Sequence, residues 1–422
     1  MKNIIVIAYQ CSPYRGSEYS VAWNHIINMS IDNRLTVLYG TSGNHMGDFE
    51  EMESYLKNHK HNNITFIPIV PSKITNALNY LNKKEIFNYS FYFAYKHWQR
   101  QVYAQVKKLL ASDKYDLIHF LSPIGYREPG FLWKIDIPYI WGPIGGAANV
   151  PGELFDILTI KGKLKVLFRN VVNSIQLRYS LRLRKALNQV DVLLASTTEV
   201  QKIFEKTHNK TSIYIPENCL LHAPKLNTSK FDNVSVYQML LVGRLDELKG
   251  NILFFKALAQ IKKRNNIHVN IIGDGPARAS LEEFAKSNGL DDIITFYGQL
   301  SRDQVLELYD SSHLHIITSL KEGNPTVIWE SMGHGVPTLT LDHCGMHDTV
   351  CEKCGIKIPV TNSEQIVSDI TEAIDNILEH PLHFEQLAHG TIECANKYLW
   401  NKRRELMNSY YDLAIERHNQ RK

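Results

Sequence analysis

The stretch LHIITSLKEGNPTVIWESM, residues 314–332, decides the reading of the fold. It opens on a largely apolar run, Leu314–Thr318, as a strand covered on both faces requires. Asn324 is a favoured helix N-cap and Pro325 a favoured first helical residue. The pattern therefore predicts a strand over Leu314–Thr318, a loop carrying Glu322, and a helix over Pro325–Met332 with Glu330 about two turns in. In open α/β sheets the carboxyl ends of the strands face the ligand crevice, and helix N-terminal amides favour anions there. One carboxylate would hold hydroxyls at the helix mouth and the other hydroxyls deeper in. The same pattern also describes a capped helix with one exposed glutamate.

The rhythm extends on both sides. Strands are expected at Gln238–Val242, His268–Ile272, Ile293–Tyr297 and Thr338–Leu341, alternating with helices at Asn251–Lys263, Ala277–Ser287, Arg302–Ser312 and Glu364–Leu378. Upstream, strands are expected at Asn3–Ala8, Leu35–Tyr39, Ile64–Ile69, Asp116–Phe120, Pro138–Gly142, Val190–Ala195 and Ser212–Ile215, with helices such as Glu18–Ser30 and Gln99–Ala111. Residues 216–234 carry Pro216, Pro224, Asn218, Asn227 and Ser229 with little periodicity, and read as a linker. The expectation is an α/β protein with two Rossmann-like parallel-sheet domains, 1–215 and 235–397, facing a central cleft.

Two further loops carry chemistry. In Val242–Gly250, Arg244 offers a planar fork for phosphate oxygens and Lys249 a point charge, while Gly243 and Gly250 allow close backbone approach. The simpler alternative is a surface pair of cations near Asp246 and Glu247. Gly273-Asp-Gly275-Pro276 again links a strand to a helix, but no third glycine follows, so it is not a dinucleotide fingerprint. Tyr9–Ser17, after the first strand, also lacks that fingerprint, which excludes a dinucleotide oxidoreductase. The chain has no Walker A motif and no Asp-x-Asp to hold a divalent metal on a diphosphate. Cationic side chains and helix ends would have to carry a diphosphate, and no metal or other cofactor is expected.

Composition agrees. The 422 residues are 44% hydrophobic and 21% charged, as in soluble globular proteins. No run approaches the roughly 18 apolar residues of a spanning helix. Met1–Cys11 reads as a first buried strand rather than a signal peptide, so the expected location is the cytoplasm. Six cysteines are too sparse for a disulfide scaffold. The cluster His343, Cys344, His347, Cys351 and Cys354 has a Cys-x-x-Cys metal pattern, but no second compact pair follows, and buried free thiols are the favoured reading.

Taken together, Val242–Gly250, Gly273–Pro276, Phe296-Tyr-Gly298, Ser319, the Glu322/Glu330 pair and Gly335-Val-Pro337 resemble the retaining glycosyltransferases of family 4, with the GT-B fold, in that family's order and spacing. Ser12–Glu18, Asp116–His119, Arg127-Glu-Pro129 and Trp141–Gly146 resemble a subgroup that builds surface polysaccharides. The end, Tyr398-Leu-Trp400 through Tyr411, is similar to the family's last helix, so 398–422 would return to the first domain.

The resemblance implies a nucleotide-diphosphate sugar as donor and a saccharide or lipid-linked saccharide as acceptor. Arg244 and Lys249 would bind the diphosphate, Glu330 the ribose, and Glu322 the donor sugar, with Gly323, Asn324 and Pro325 at the helix mouth. Gly243, Gly273, Gly275 and Gly298 would line the donor loops, Gly16 would approach the diphosphate, and His119 would line the reaction centre. A lone histidine after a strand is also an ordinary satisfied structural residue. The chain departs from the family at Arg15-Gly16-Ser17, where paired glycines are common, and at Ser331, where alanine is common. A sugar-nucleotide epimerase on this fold, or an inert sugar-nucleotide-binding protein, are the rival readings.

Charge is uneven. Residues 1–225 hold 27 Lys and Arg against 17 Asp and Glu, while the remainder is net acidic. Ile157–Val190 has eight basic residues (Lys161, Lys163, Lys165, Arg169, Arg178, Arg182, Arg184, Lys185) and no acidic one. Leu164, Phe168, Val171 and Ile175 lie there at helical spacing, and Lys73–Leu110 is basic and aromatic-rich. Such a helix either lies on an anionic membrane surface or packs its stripe on the sheet. No nucleic-acid motif is present, so nucleic acid is not an expected partner.

Overall fold

The computed structural model describes residues 1–16, 18–40, 49–87 and 89–422; Ser17 of the first glycine loop lies outside them. The chain forms two compact units. The first comprises Met1–Ala147, Ser174–Glu217 and Asn401–Lys422, and the second Ala148–Asn173 and Asn218–Trp400.

The first unit is built on a seven-stranded parallel sheet: β1 Asn3–Ala8, β2 Arg34–Tyr39, β3 Ile64–Pro68, β4 Leu117–Ser122, β5 Tyr139–Ile144, β6 Val192–Ala195 and β7 Ile213–Tyr214. Their order is β3-β2-β1-β4-β5-β6-β7. Alternate residues of β1 feed opposite cores. Ile5 and Ile7 pack with Trp98, Ile118 and Phe120, whereas Ile4 and Val6 pack with Ile26, Leu117 and Tyr411. That two-sided burial is why these strands read as unbroken apolar runs. Tyr411 and Met407 reach this core from the last helix, Trp400–Arg421.

The second unit holds a six-stranded parallel sheet: β8 Tyr237–Val242, β9 Ile267–Ile272, β10 Ile294–Gly298, β11 Leu314–Ile317, β12 Thr338–Leu341 and β13 Gly355–Ile358. The order β10-β9-β8-β11-β12-β13 reverses direction between β8 and β11. Met239, Leu241, Val269 and Ile271 form one core with Ile366, Ile370 and Ile374 of helix Ser363–Glu379. Leu240 and Ile272 face the other way, toward Tyr309 and Val336.

Three expectations need correction. Ala148–Asn173 belongs to the second unit: Val150, Leu154, Leu158 and Val166 enter its core. The segment from Asn218 onward is not a free linker. Asn218 bonds to Asn324, Leu220 bridges Leu399, and Lys230 Nζ donates to the Ser312 carbonyl. The helix begun at Asn251 ends at Leu258 rather than Lys263, because the chain turns to bury Ile261 ahead of a solvated basic run.

Candidate functional site

At a topological switch point the loops after the two flanking strands diverge and leave a crevice. In the second unit that point lies between β8 and β11, so the loops Gly243–Gly250 and Thr318–Asn324 flank it. These are the two loops that the sequence marked. They are fastened together: the Leu320 N–H donates to the Leu248 carbonyl at 2.8 Å, and Thr318 Oγ1 donates to the Lys249 carbonyl at 3.3 Å. Gly250 makes this approach feasible. It has φ +60°, and a Cβ there would stand 2.3 Å from the Thr318 carbonyl oxygen.

The consequence is electrostatic. Lys249 Nζ donates to Glu322 Oε1 in a tight ion pair, joining residues 73 apart in sequence. Both side chains are largely shielded, at 32% and 17% exposed. Arg244 is much more open, at 69%, with Asp246 3.6 Å away. Gly243 and Gly273 stack their backbones: the Gly243 N–H donates to the Ile272 carbonyl, and the Gly273 N–H to the Gly298 carbonyl at 2.7 Å. Leu245 and the Asp274–Ala277 turn exchange two backbone bonds, which places Gly275 beside Leu245.

The helix after the Glu322 loop runs Thr326–Gly333, with Pro325 at its N-cap position. The expected Asn324 cap is not made. Pro325 is itself extended (φ −66°, ψ 124°) and takes the N-cap position, so the helix starts one residue later. Asn324 is buried instead, and its Oδ1 accepts from the Asn218 N–H at 3.2 Å and from Trp329 Nε1 at 2.6 Å. It anchors the loop. Gly323 meets helix Cys344–Thr349, where the Gly345 N–H donates to the Glu322 carbonyl at 3.3 Å.

Glu330 faces Arg302 at 3.6 Å and is 17% exposed. Burial raises its pKa above the ordinary glutamate range, opposed by Arg302 and His334. Arg302 was not singled out in the sequence, since it sits 28 residues upstream at the start of another helix, Arg302–Ser311.

Two cavities adjoin Arg244. One of about 530 Å³ is lined by Arg244, Gly273, Asp274, Gly275 and Gln299. The other, of about 520 Å³, sets Lys161, Lys165 and Arg169 around Arg244, with Asp246 and Glu247. Three of the cations first considered for membrane contact therefore face a cavity of small-ligand size. They come from helix Ile160–Tyr179, whose spacing of four puts them on one face. Lys249, Glu322 and Glu330 line neither cavity.

Gly16 and His119 belong to the first unit. Gly16 is exposed, ahead of helix Glu18–Met29. His119, on β4, is fully buried, with Nδ1 3.1 Å from Tyr411 Oη and Nε2 2.7 Å from the Gly142 carbonyl. Burial lowers its pKa to about 4, the Gly142 carbonyl opposing and Arg403 assisting. Of the two roles open to it, these surroundings fit the structural one. A buried neutral histidine takes no proton where the unfolded one does, so stability is lost as pH falls from 6.5 toward 4. At pH 5 this amounts to about 2 kcal/mol. The His119 ring should stay neutral from about pH 8 to pH 5 in an NMR titration; a midpoint near its ordinary value would contradict this environment.

Residues 228–389 match the family model described as Glycosyl transferases group 1. Among curated relatives, the chain is 22% identical over 279 residues to a putative colanic acid biosynthesis glycosyltransferase, WcaL, of Salmonella typhimurium, covering 60% of this chain and 62% of that protein. It is 36% identical over 96 residues, 22% of this chain and 26% of the relative, to a Campylobacter jejuni enzyme named GalNAc-alpha-(1->4)-GalNAc-alpha-(1->3)-diNAcBac-PP-undecaprenol alpha-1,4-N-acetyl-D-galactosaminyltransferase. These alignments thus span less than two thirds of each relative. Among solved structures, sucrose-phosphate synthase from Thermosynechococcus elongatus superposes with a TM-score of 0.66 at 15% identity over 98% of both chains. That likeness bears out the GT-B fold.

Proposed function

We propose that the protein is a retaining, metal-independent glycosyltransferase. It moves a sugar from a nucleotide-diphosphate donor to a hydroxyl of a saccharide acceptor, carried on a lipid diphosphate, in surface polysaccharide assembly. The observation that carries the reading is the Lys249–Glu322 ion pair between the two loops that flank the β8/β11 switch point, with Arg244 on the same loop as Lys249. The matched family and the acceptor printed in the Campylobacter relative's name support it.

Glycosyl transfer breaks the bond from the sugar's anomeric carbon to the diphosphate and leaves a cation-like sugar. The arginine fork and the lysine ammonium stabilise the departing charge. Glu322 spends one oxygen on Lys249 and offers the other to a sugar hydroxyl, while Glu330 takes the ribose hydroxyls. Lys161, Lys165 and Arg169 add positive potential around the cavity that Arg244 also lines. The acceptor oxygen attacks on the face the diphosphate leaves, and a diphosphate oxygen takes its proton. The new bond keeps the donor's configuration, and no protein nucleophile is needed.

The test is the product. An α-linked donor should give an α-linked product by NMR, at an initial rate unchanged by EDTA. A β-linked product, or a rate abolished by EDTA and restored by Mg²⁺ or Mn²⁺, the hard ions that hold a diphosphate, would refute the chemistry. Donor conversion with no sugar transferred would favour the epimerase.

Membrane contact is part of the same proposal. Among the described residues no helix is long and apolar enough to cross a membrane. Helix Ile160–Tyr179 nevertheless exposes its stripe: Leu164 is 65% exposed, Phe168 61%, Val171 48% and Ile175 53%. Its opposite side, with Val166, Asn173 and Leu177, is buried. An outward apolar stripe flanked by cations suits the surface of an anionic bilayer. Co-sedimentation with anionic vesicles should fall with salt and drop at least tenfold in Phe168→Glu. Equal binding to neutral vesicles, insensitive to salt, would contradict it.

A further inference from the structure

The second unit gathers three cysteines that the donor site leaves unused. Cys351 and Cys354 lie in the turn between helix Cys344–Thr349 and β13, and Cys394 in helix Leu382–Ala395. Their sulfurs lie within 4.8 Å of one another. Cys351 Sγ is 3.6 Å from Cys354 Sγ and 3.0 Å from Cys394 Sγ. Cys394 is 43 residues from Cys351, so the sequence pattern had not joined them. The two histidines it had grouped with Cys351 are engaged elsewhere: His343 Nε2 with the Ser319 carbonyl, and His347 Nδ1 with Asp342.

The turn is shaped around sulfur. The Cys351 N–H donates to Cys354 Sγ at 3.2 Å, and the Cys354 N–H donates to the Cys351 carbonyl. Such donors stabilise negative sulfur and orient it. The helix is pressed onto the turn. Thr391 Oγ1 donates to the Cys354 carbonyl at 3.5 Å, and a Cβ at Gly390 would overlap the Lys353 carbonyl oxygen at 1.8 Å. Cys354 and Cys394 are buried, while Cys351 is half-buried and gives a route in.

We propose that Cys351, Cys354 and Cys394 form a three-thiolate site for a thiophilic metal ion of the zinc type, which pins helix Leu382–Ala395 to the turn before β13. Two sulfurs each about 2.3 Å from a tetrahedral ion stand about 3.8 Å apart, so small side-chain rotations suffice. On binding, each thiol releases its proton to solvent and its sulfur lone pair bonds the ion; no electron is transferred. Among the described residues no fourth protein ligand joins the group, so water or a small thiol completes the tetrahedron.

The test uses the full chain, reduced, stripped with chelator and titrated with Zn²⁺, and in parallel with Co²⁺ for its thiolate charge-transfer absorption. The expected result is one ion per chain, a rise in melting temperature, and protection of three thiols from alkylation. Cys394→Ser should weaken binding at least tenfold, whereas Cys11→Ala in the first unit should not. Thiol protection in the wild type keeps the test valid should Cys394→Ser fail to fold. No uptake by the reduced, folded chain would overturn the proposal. So would affinity unchanged in Cys394→Ser, or a Cys351–Cys394 disulfide in the isolated protein with no uptake after reduction.

Discussion

Arg244→Ala and Lys249→Ala should each lower turnover by about two to three orders of magnitude, the size expected when one preorganised group is taken from developing negative charge. Both variants should still fold. Arg244 is 69% exposed, and its one ion-pair contact among the described residues is Asp246 at 3.6 Å. Lys249 is more constrained, because its loss leaves Glu322 shielded without its cation. That costs about 1–3 kcal/mol and should appear in the melting temperature rather than in unfolding. Lys249→Arg restores a cation but not the ammonium geometry, so it should recover only part of the rate. The two effects separate by kinetics. A loss carried in kcat marks the leaving group, while a loss confined to KM marks simple donor affinity. Near-normal turnover in both alanine variants would remove the diphosphate assignment.

Gly273→Ala should be among the most damaging single methyls in the second unit, because it combines a positive φ with a backbone clash. Gly273 has φ +123°, and its Cβ would stand 2.0 Å from the Gly243 carbonyl oxygen, which is backbone and cannot swing aside. Backbone strain and overpacking together cost about 3 kcal/mol or more, which lowers the midpoint by roughly 6–12 °C in a unit of this size. Relief would push Gly243 away and carry Arg244 with it, so donor turnover should fall too. Gly152→Ala is the control, since a Cβ there meets nothing within 4 Å. Equal midpoints for the two variants would show that the Gly243–Gly273 contact does not hold the loop.

Much of the fold was legible because both sheets are covered on two faces. Ile4–Ala8 is apolar without interruption and Thr338–Leu341 alternates β-branched threonine with leucine, and the bounds of both strands could be read residue by residue. Gly355–Ile358 escaped notice because it is four residues long, lies against the Cys351–Cys354 turn, and alternates Ile356 and Ile358 with a lysine. Helix Leu382–Ala395 was also missed, since Gly390 and scattered histidines blur its period. Of the site, the loop residues were legible through local grammar, namely glycine turns beside cations at strand ends. Their partners were not. Lys249 with Glu322, Glu330 with Arg302, and Asn324 with Asn218 are tertiary meetings that no spacing encodes. Asn324 shows the limit best: a good capping residue became an anchor because Asn218 and Trp329 offer donors to its Oδ1. Helix Ile160–Tyr179 shows the converse. Its charge was visible in the sequence, but only the fold shows that one row of cations faces a cavity while the apolar stripe faces outward.

The central claim is that the second unit holds a nucleotide-diphosphate sugar through Arg244, Lys249, Glu322 and Glu330. The most direct measurement is thermal stabilisation by UDP-, GDP- and ADP-sugars in the wild type and in Glu330→Ala. At one hundred times its dissociation constant a ligand stabilises by about 2.7 kcal/mol, a readable shift. The account predicts that one nucleotide class raises the melting temperature of the wild type and that the shift is lost in the variant. No shift from any donor with a folded sample, or a shift that Glu330→Ala leaves intact, would contradict it.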